Sequence, residues 1–463
     1  MKKRRLLKLI MLIGDVFLMY GALFLALAIR YGDFSFLPGP QTTDFVQQFS
    51  FVFIFWAIIL YAFNFYEVPP LKKIFNFFKN ITAFSFLAVV FAVVYFYFDK
   101  VAVITPKTIL IIHVLFFAIL TFLWRYIITL ALKNRKFKEK IILIDFVPGV
   151  EDVADEKMLS LCGYKIVAFF SLNDKHRKKL LPFSGSAKYG VVSDINKLKE
   201  VVEKEKIETV IFPTFFNGDK KMVQEIFNTI PFNLNYVSFV DFYEFLMKKT
   251  PIEAVDEGWF LENASRFEKN TEKMIKKSVD IVFSAIGIVF TIALFPFIAL
   301  AVKMDSKGPV FYTQKRVGKN GKVFKLYKFR TMTTIENQNN EIWRRNNEKE
   351  VTRTGKMLRK LHLDEIPQFF NIFKGDISFV GPRPEWIKLV KTFEKEIPFY
   401  CLRHTIKPGV TGWAQIHYPA SASAKEAKEK FKYDLYYIKN RSFFLDLSII
   451  LKTIRKVLVG KSL

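Results

Sequence analysis

The sequence predicts a three-part membrane protein: an α-helical N-terminal bundle, a central α/β domain, and a C-terminal α+β domain built on a re-entrant membrane helix. Three observations carry this. Apolar stretches of near membrane-spanning length fill the first 131 residues, short β-rich runs alternate with helical ones from Lys140, and a charge-free run at Ile281 to Val302 precedes a segment dense in charged motifs. At 463 residues the chain is too long for one core. It is 51% hydrophobic with 53 phenylalanines, yet carries a net charge of +27, which suits a protein lying in and against an anionic bilayer. Nucleic-acid binding is set aside as the source of that charge. The basic residues flank apolar segments and form no separate patch with aromatic readers. Cys162 and Cys401 are far apart in sequence, lack metal-ligand spacing, and read as reduced thiols of a cytosolic compartment.

Within residues 1–134 the apolar stretches run from Leu6 to Ala28, Phe51 to Phe65, Ile81 to Phe98 and Ile109 to Leu132, the second being the shortest. Lys2, Lys3, Arg4 and Arg5 precede the first, Lys72, Lys73 and Lys79 separate the second from the third, and Lys133, Arg135, Lys136 and Lys138 follow the fourth. In a four-span array all three clusters fall on one side, which the positive-inside rule makes cytoplasmic. No small-residue cleavage site follows the first apolar core, so it reads as an uncleaved anchor.

Residues 135–268 change character. The runs IILIDF (Ile141 to Phe146), KIVAFF (Lys165 to Phe170) and TVIFPT (Thr209 to Thr214), with helical stretches between them, predict a small parallel sheet of βαβ units, Rossmann-like but of degenerate nucleotide-binding type. A dinucleotide site needs a glycine-rich turn after the first strand. Here that turn reads DFVPGVEDVAD, with one glycine and several acids, so the domain reads as structural or regulatory.

The last domain, 269–463, opens on the 22-residue run Ile281 to Val302. Lysines 276 and 277 stand before it and 303 and 307 after it, and Pro296 interrupts it. Charge bias toward one side at both ends, with a helix breaker inside, predicts a helix over about 280–303 that enters the membrane, bends and returns. Everything beyond it then stays on the cytoplasmic face.

After it, GPVFYTQKRVGKNGKVFKLYKFRTM alternates apolar and basic residues around a strong turn signal, predicting a hairpin with a cationic face on which Arg316, Lys328 and Arg330 can line an anionic pocket. The stretch Thr352 to Glu385 places Asp364 and Glu365 two residues before Pro367, at the mouth of a helix through QFFNIF. A helix start favours an approaching phosphate, the more so if a divalent cation bridges the carboxylates. Arg383, between Pro382 and Pro384, has a stiff backbone that pre-aims its guanidinium for bidentate phosphate or uridine recognition. Asp376 in KGDIS either binds metal or caps a turn. His404, beside Arg403, reads as structural, and Trp413 in GVTGWAQ as a pocket-shaping residue. After Ala420 the sequence predicts two amphipathic helices lying flat on the membrane, with Asp434 either part of the site or a surface acid.

Taken in order, KKSVDIVFS, the broken hydrophobic helix, SKGPVFYTQKRVGKNGKVFKLYKFRTM, LHLDEIPQFFNIFKGDISFVGPRPE, RHTIKPGVTGWAQIH and DLYYIKNRS resemble the bacterial sugar transferases, the polyprenyl-phosphate glycosylphosphotransferases of monotopic type. The likeness is close from Lys276 to about Leu447, and the helical array with a degenerate nucleotide fold looks like the long form of that family. It implies transfer of a sugar-1-phosphate from a UDP-sugar, UDP-galactose or UDP-glucose, to undecaprenyl phosphate with release of UMP, as the first membrane step of exopolysaccharide, capsule or O-antigen synthesis. The same reaction on a UDP-N-acetylhexosamine is the alternative. By match, Asp364 is the nucleophile that forms a covalent phosphosugar intermediate, Glu365 handles Mg²⁺ or a proton, and Lys328 and Arg359 match basic positions near the site. The implied setting is the bacterial inner membrane with the catalytic domain cytoplasmic; partners are membrane lipids and the two substrates, with a homodimer compatible. The missing glycine-rich turn disfavours a membrane-tethered dehydratase or epimerase, and the intact Asp-Glu pair disfavours a silent polysaccharide-assembly scaffold.

Overall fold

A computed structural model of the chain describes residues 2–32, 40–63, 65–66, 74–98, 107–133, 138–171, 173–214, 220–263, 270–333, 351–418 and 423–458. It divides into two compact units, residues 1–239 and 240–463.

The first unit begins with four helices, α1 (Lys2–Tyr31), α2 (Pro40–Ala62), α3 (Ile74–Phe98) and α4 (Lys107–Lys133). Each coincides with a predicted apolar stretch. Three of them hold segments long and apolar enough to cross a membrane, Leu6–Tyr31, Phe77–Phe98 and Thr108–Leu132, while the apolar part of α2, Val46–Tyr61, is shorter. The bundle interior is not purely apolar. Arg125 on α4 donates to Asp15 on α1 at 2.6 Å, both side chains being fully buried, and His113 sits 3.0 Å from the Met19 carbonyl. Of the basic residues used for orientation, Lys72, Lys73, Arg135 and Lys136 lie outside the described residues.

The sheet of this unit has five parallel strands in the order β3-β2-β1-β4-β5: β1 (Glu139–Ile144), β2 (Tyr164–Phe170), β3 (Val191–Val192), β4 (Thr209–Phe212) and β5 (Asn235–Ser238). The predicted runs became β1, β2 and β4. β3 and β5 carry too few apolar residues to be read as strands: one is two residues long and the other reads NYVS. Ile142, Ile144, Val167, Phe170 and Val210 form the core with Leu198, Val201 and Val202 of the crossover helix Leu198–Glu205. After β1 the chain turns through Asp145 (φ 61°) and Gly149 (φ 96°) into a four-residue helix whose first turn holds Glu151 and Asp152. Acids at that point oppose a bound phosphate, in keeping with the sequence reading.

The second unit is organised on the helix Asn270–Asp305, which includes Pro296 and continues past it. Its segment Met274–Asp305 is also long and apolar enough to cross a membrane. Both ends of this helix are bound to the same unit. Near its start Lys276 donates to the Val380 carbonyl (2.8 Å) and Asp446 (2.6 Å), and at its end Asp305 accepts from the Thr354 backbone N–H (2.7 Å). Midway, Gly287 lies against the Phe369 ring, where a Cβ would approach ring carbons to 2.7 Å, so glycine is required. The hairpin β6 (Phe311–Val317) and β7 (Val323–Phe329) forms as predicted, with Phe311 opposite Phe329 and a turn through Asn320 (φ 54°) and Gly321 (φ 74°). Two short parallel strands, β8 (Ser378–Val380) and β9 (Gly409–Thr411), complete the sheet content.

The C-terminal helices Ala424–Asn440 and Phe443–Leu458 exist as predicted, but the first does not present the wet lysine face expected of it. Lys430, Lys432 and Lys439 are buried, pairing with Glu385, Glu253 and Glu244 respectively. The lysines that read as a wet face are internal counter-charges, because acids from distant segments meet them. Both cysteines are free.

Candidate active site

The acid pair occupies a single 3₁₀ turn, Leu363–Glu365, between the helices Arg353–Lys360 and Gln368–Lys374. Leu358, Leu363 and Ile366 anchor the turn into a cluster with Ile298 and Val302 of the long helix and Phe329 of β7. The carboxylates are thereby held between the membrane-type helix and the cationic hairpin. Asn371, fully buried, fastens the following helix to β7 by donating to the Lys325 carbonyl (2.7 Å) and accepting from the Tyr327 N–H (3.1 Å). That helix has only seven residues. A helix so short adds little dipole, and the positive charge beside the pair comes instead from side-chain cations.

Those cations meet at Glu365. Lys328 from β7 donates to its Oε1 at 2.5 Å and Arg383 donates to the same oxygen at 3.2 Å. Burial alone would raise the Glu365 carboxyl, but Arg383 and Lys328 outweigh it and bring it down to about 2. Asp364 behaves oppositely. It is 9% exposed and its carboxylate accepts no hydrogen bond from the described residues. Burial and the neighbouring Glu365 charge push its pKa up, with Lys328, Arg359 and His362 offsetting only part. One carboxylate of the pair is clamped and the other is uncommitted.

The loop that presents Arg383 is gripped carbonyl by carbonyl. The Pro382 carbonyl accepts from the Gly409 N–H (2.9 Å), Arg383 from Arg403 (3.0 Å), Pro384 from Arg316 (3.1 Å) and Glu385 from the Val317 N–H (3.2 Å). Arg403 is buried and also donates to Tyr400 (2.6 Å) and Asp434 (3.0 Å), while Glu385 faces Lys430 at 3.4 Å. Burial pushes Glu385 up, but Lys430, Arg403 and Arg316 prevail and its carboxyl falls to about 2.

The structure therefore brings together Asp364, Glu365, Lys328 and Arg383, with Arg359 bound to the Thr331 hydroxyl (3.0 Å) and felt by Asp364. Arg316 holds the loop carbonyl behind Arg383. Arg330 is elsewhere: it is buried and donates to the Ser306 (2.6 Å) and Lys307 (3.0 Å) carbonyls, closing the end of the long helix. Gly308 (φ 130°) is needed there, since a Cβ would collide with that guanidinium. Asp376 lies beyond the far end of the helix Gln368–Lys374 from the pair and accepts from Asn371 at 3.1 Å. Asp434 is a buried partner of Arg403, not a surface acid. Burial and Arg403 lower the His404 pKa to about 4, so it is neutral at pH 7. Sequence reasoning missed the roles of Glu385, Arg403, Lys430 and Asn371. The one available signal was Glu385, an acid closing an otherwise cationic motif.

Among the described residues no group of three or more His, Cys, Asp or Glu side chains can hold a metal ion. Asp364 and Glu365 alone still suit magnesium, which needs one or two protein carboxylates when substrate phosphates supply other ligands.

Comparison with known proteins gives the same assignment. The family described as bacterial sugar transferase matches residues 271–460. The chain is 45% identical over 186 residues to a UDP-N-acetylgalactosamine-undecaprenyl-phosphate N-acetylgalactosaminephosphotransferase of Aeromonas hydrophila, covering 40% of this chain and 44% of that protein. It is 42% identical over 191 residues to a UDP-glucose:undecaprenyl-phosphate glucose-1-phosphate transferase of Klebsiella pneumoniae, 41% of each chain. In both cases the match spans less than half of the relative. An uncharacterized sugar transferase of Bacillus subtilis, EpsL, is 41% identical over 180 residues, which cover 39% of this chain and 82% of that protein. The chain belongs to the bacterial sugar transferase family.

Proposed function

We propose that the protein transfers a sugar-1-phosphate from a UDP-sugar to undecaprenyl phosphate, releasing UMP, through a covalent intermediate on Asp364. The observation that carries this is the unequal pair: a buried Asp364 with no hydrogen-bond partner among the described residues, beside a Glu365 held ionised by Lys328 and Arg383. In the first half-reaction an Asp364 carboxylate oxygen attacks the β-phosphorus. The bond from that phosphorus to the oxygen bridging to the α-phosphate breaks, and UMP leaves with the bond's electron pair. In the second, an oxygen of the lipid phosphate attacks the same phosphorus and displaces Asp364, giving the sugar diphospholipid. No proton has to move in either step, because the attacking carboxylate and the attacking lipid phosphate are both anions. Arg383 and Lys328 are placed to meet charge on the transferring phosphoryl oxygens. Asp364 and the Oε2 of Glu365, which accepts no bond from the described residues, would hold a Mg²⁺ ion that offsets the diphosphate charge.

The donor is read as UDP-glucose or UDP-galactose. The Aeromonas relative, named for N-acetylgalactosamine and 45% identical, favours a UDP-N-acetylhexosamine as the second reading. The helix Asn270–Asp305 is read as re-entrant. In support, Lys276 and Asp305 are about 44 Å apart along a straight helix, enough to cross the bilayer, yet both are bonded within one unit. The rest of that unit then lies on the cytoplasmic face of the inner membrane. The sheet of residues 135–268 is read as Rossmann-like, with order β3-β2-β1-β4-β5 but without the phosphate turn. The test is UMP release from a panel of UDP-sugars with purified protein, Mg²⁺ and polyprenyl phosphate. No UMP from any sugar, or release undiminished by Asp364→Asn, would refute the mechanism.

A further inference from the structure

The long helix, β8 and the last two helices enclose a cavity of about 420 Å³ that the chemistry above does not use. Its volume falls in the range of small-ligand sites. Val279 and Phe283 of the long helix, Phe379 of β8, and Leu447 and Ile450 of the last helix form its walls. Apart from Arg441 and Ser442, which also line it, its polar groups are spent largely on one another. Lys276 donates to the Val380 carbonyl (2.8 Å), the Tyr437 hydroxyl (2.9 Å) and Asp446 (2.6 Å). Tyr437 donates in turn to the other Asp446 oxygen (2.7 Å), and Asp280 accepts from the Ser378 hydroxyl (3.0 Å) and the Phe379 N–H (3.1 Å). A charged or hydrogen-bonding guest gains little here, whereas an apolar one gains the whole wall.

Two further facts say where such a guest comes from. The wall is the same helix whose other residues, such as Val282 (55% exposed) and Ile286 (60%), face outward as a bilayer-facing surface would, so the cavity is lined by the segment read as lying in the membrane. Val380, on the cavity edge, is three residues before Arg383, at most about 11 Å of extended chain. A hydrocarbon chain seated in the cavity can therefore keep a polar end near the phosphate-binding guanidinium. The acceptor named above has both groups this arrangement calls for, an apolar tail for the cavity and a terminal phosphate for Arg383.

We propose that this cavity seats the head-proximal isoprene units of the acceptor's polyprenyl tail while its phosphate reaches Arg383 and Asp364. The inference rests on the reaction proposed above. Its test uses the full-length protein in nanodiscs with Ile450→Trp and Val279→Trp, which fill the cavity without touching the acid pair. Two activities are compared: exchange of labelled UMP into the UDP-sugar, which reports the first half-reaction, and transfer to long-chain polyprenyl phosphate against a short, water-soluble isoprenyl phosphate. The expected result is a tenfold or greater rise in KM for the long acceptor, with exchange and short-acceptor transfer within twofold of the parent. An unchanged long-acceptor KM, or equal losses with both acceptors, overturns the proposal. A measurement on the unaltered protein removes any dependence on variant folding: a diazirine placed in the first isoprene units should label Phe283 or Ile450. Labelling there by an acyl-chain diazirine phospholipid, undiminished by excess polyprenyl phosphate, would assign the cavity to bulk lipid and overturn the proposal as well. Absence of UMP exchange in the parent, with polyprenyl labelling retained, would instead refute the reaction and leave the tail site standing.

Discussion

Asp145 at the end of β1 and Asp364 in the 3₁₀ turn are both largely buried carboxylates in places where a ligand phosphate would be sought, and they differ in what their oxygens are doing. Asp145 spends one oxygen on two neighbours, the Ser171 hydroxyl at 2.9 Å and His176 at 2.8 Å, and so ties β1 to the segment after β2. Asp364 accepts nothing from the described residues, while its neighbour Glu365 takes both available cations. A carboxylate that is desolvated yet unbonded retains its nucleophilic lone pairs, and its environment has been arranged by other residues at some cost in stability. Hydrogen-bond commitment, not burial, is what distinguishes Asp145 from Asp364, and the proposed mechanism gives the uncommitted acid the reactive role.

The contrast is tested most severely at Asp364 itself. Asp364→Asn should lower UMP release on the order of 10⁴-fold or more without lowering the melting temperature, because no hydrogen bond is lost. A variant that unfolds more easily than the parent would show that Asp364 is structural after all. Glu365→Gln should behave as a mixed case. It leaves Lys328 and Arg383 side by side without their counter-charge, and is expected to cost about 10²-fold in kcat/KM. It should also cost about 1–3 kcal/mol in denaturant stability, at the lower end because the Arg383 side chain is 37% exposed.

Much of this arrangement was legible in the sequence, and what was not has a common cause. The apolar stretches, the hairpin turn at Asn320 and Gly321, and the adjacency of Asp364 and Glu365 are local properties of short segments, so periodicity and turn chemistry expose them. The family likeness put Lys328 near the site but did not give its bond to Glu365, 37 residues away in sequence. Nothing local announces that Arg403 reaches back to the Arg383 carbonyl, that Lys430 neutralises Glu385, or that Arg330 closes the long helix. These bonds join segments whose separation only the fold removes. A cationic surface and a set of buried counter-charges have the same composition, which is why the lysines of Ala424–Asn440 read as solvated.

The pH dependence sharpens the difference within the pair. Burial and the Glu365 charge raise Asp364 above its ordinary value of 3.8, whereas Glu365 sits at about 2. The proposed attack requires ionised Asp364, so on that mechanism the acid limb of the first half-reaction should lie above pH 3.8 and belong to Asp364 alone. In Glu365→Gln the limb should move to lower pH, since a negative neighbour is gone while Lys328 and Arg383 remain. For stability the sign is that of a depressed acid: the Glu365 contribution is present above the unfolded value near 4.5 and fades as pH falls toward 2. A limb that stays in place in Glu365→Gln would assign it to another group.

The smallest effect is expected at the other carboxylate. Asp145→Asn keeps an oxygen able to accept from Ser171 and replaces only the charge that faces His176, in a side-chain pair that is 16% and 28% exposed. Loss of about 1 kcal/mol or less in stability follows. UMP exchange and lipid transfer should stay within twofold of the parent, because neither step draws on the end of β1. A tenfold loss of exchange in a variant of normal stability would mean that the central sheet takes part in binding the nucleotide despite its acidic turn at Glu151 and Asp152. The division between a committed and an uncommitted carboxylate would then have to be redrawn, with Asp145 counted among the groups that serve the reaction.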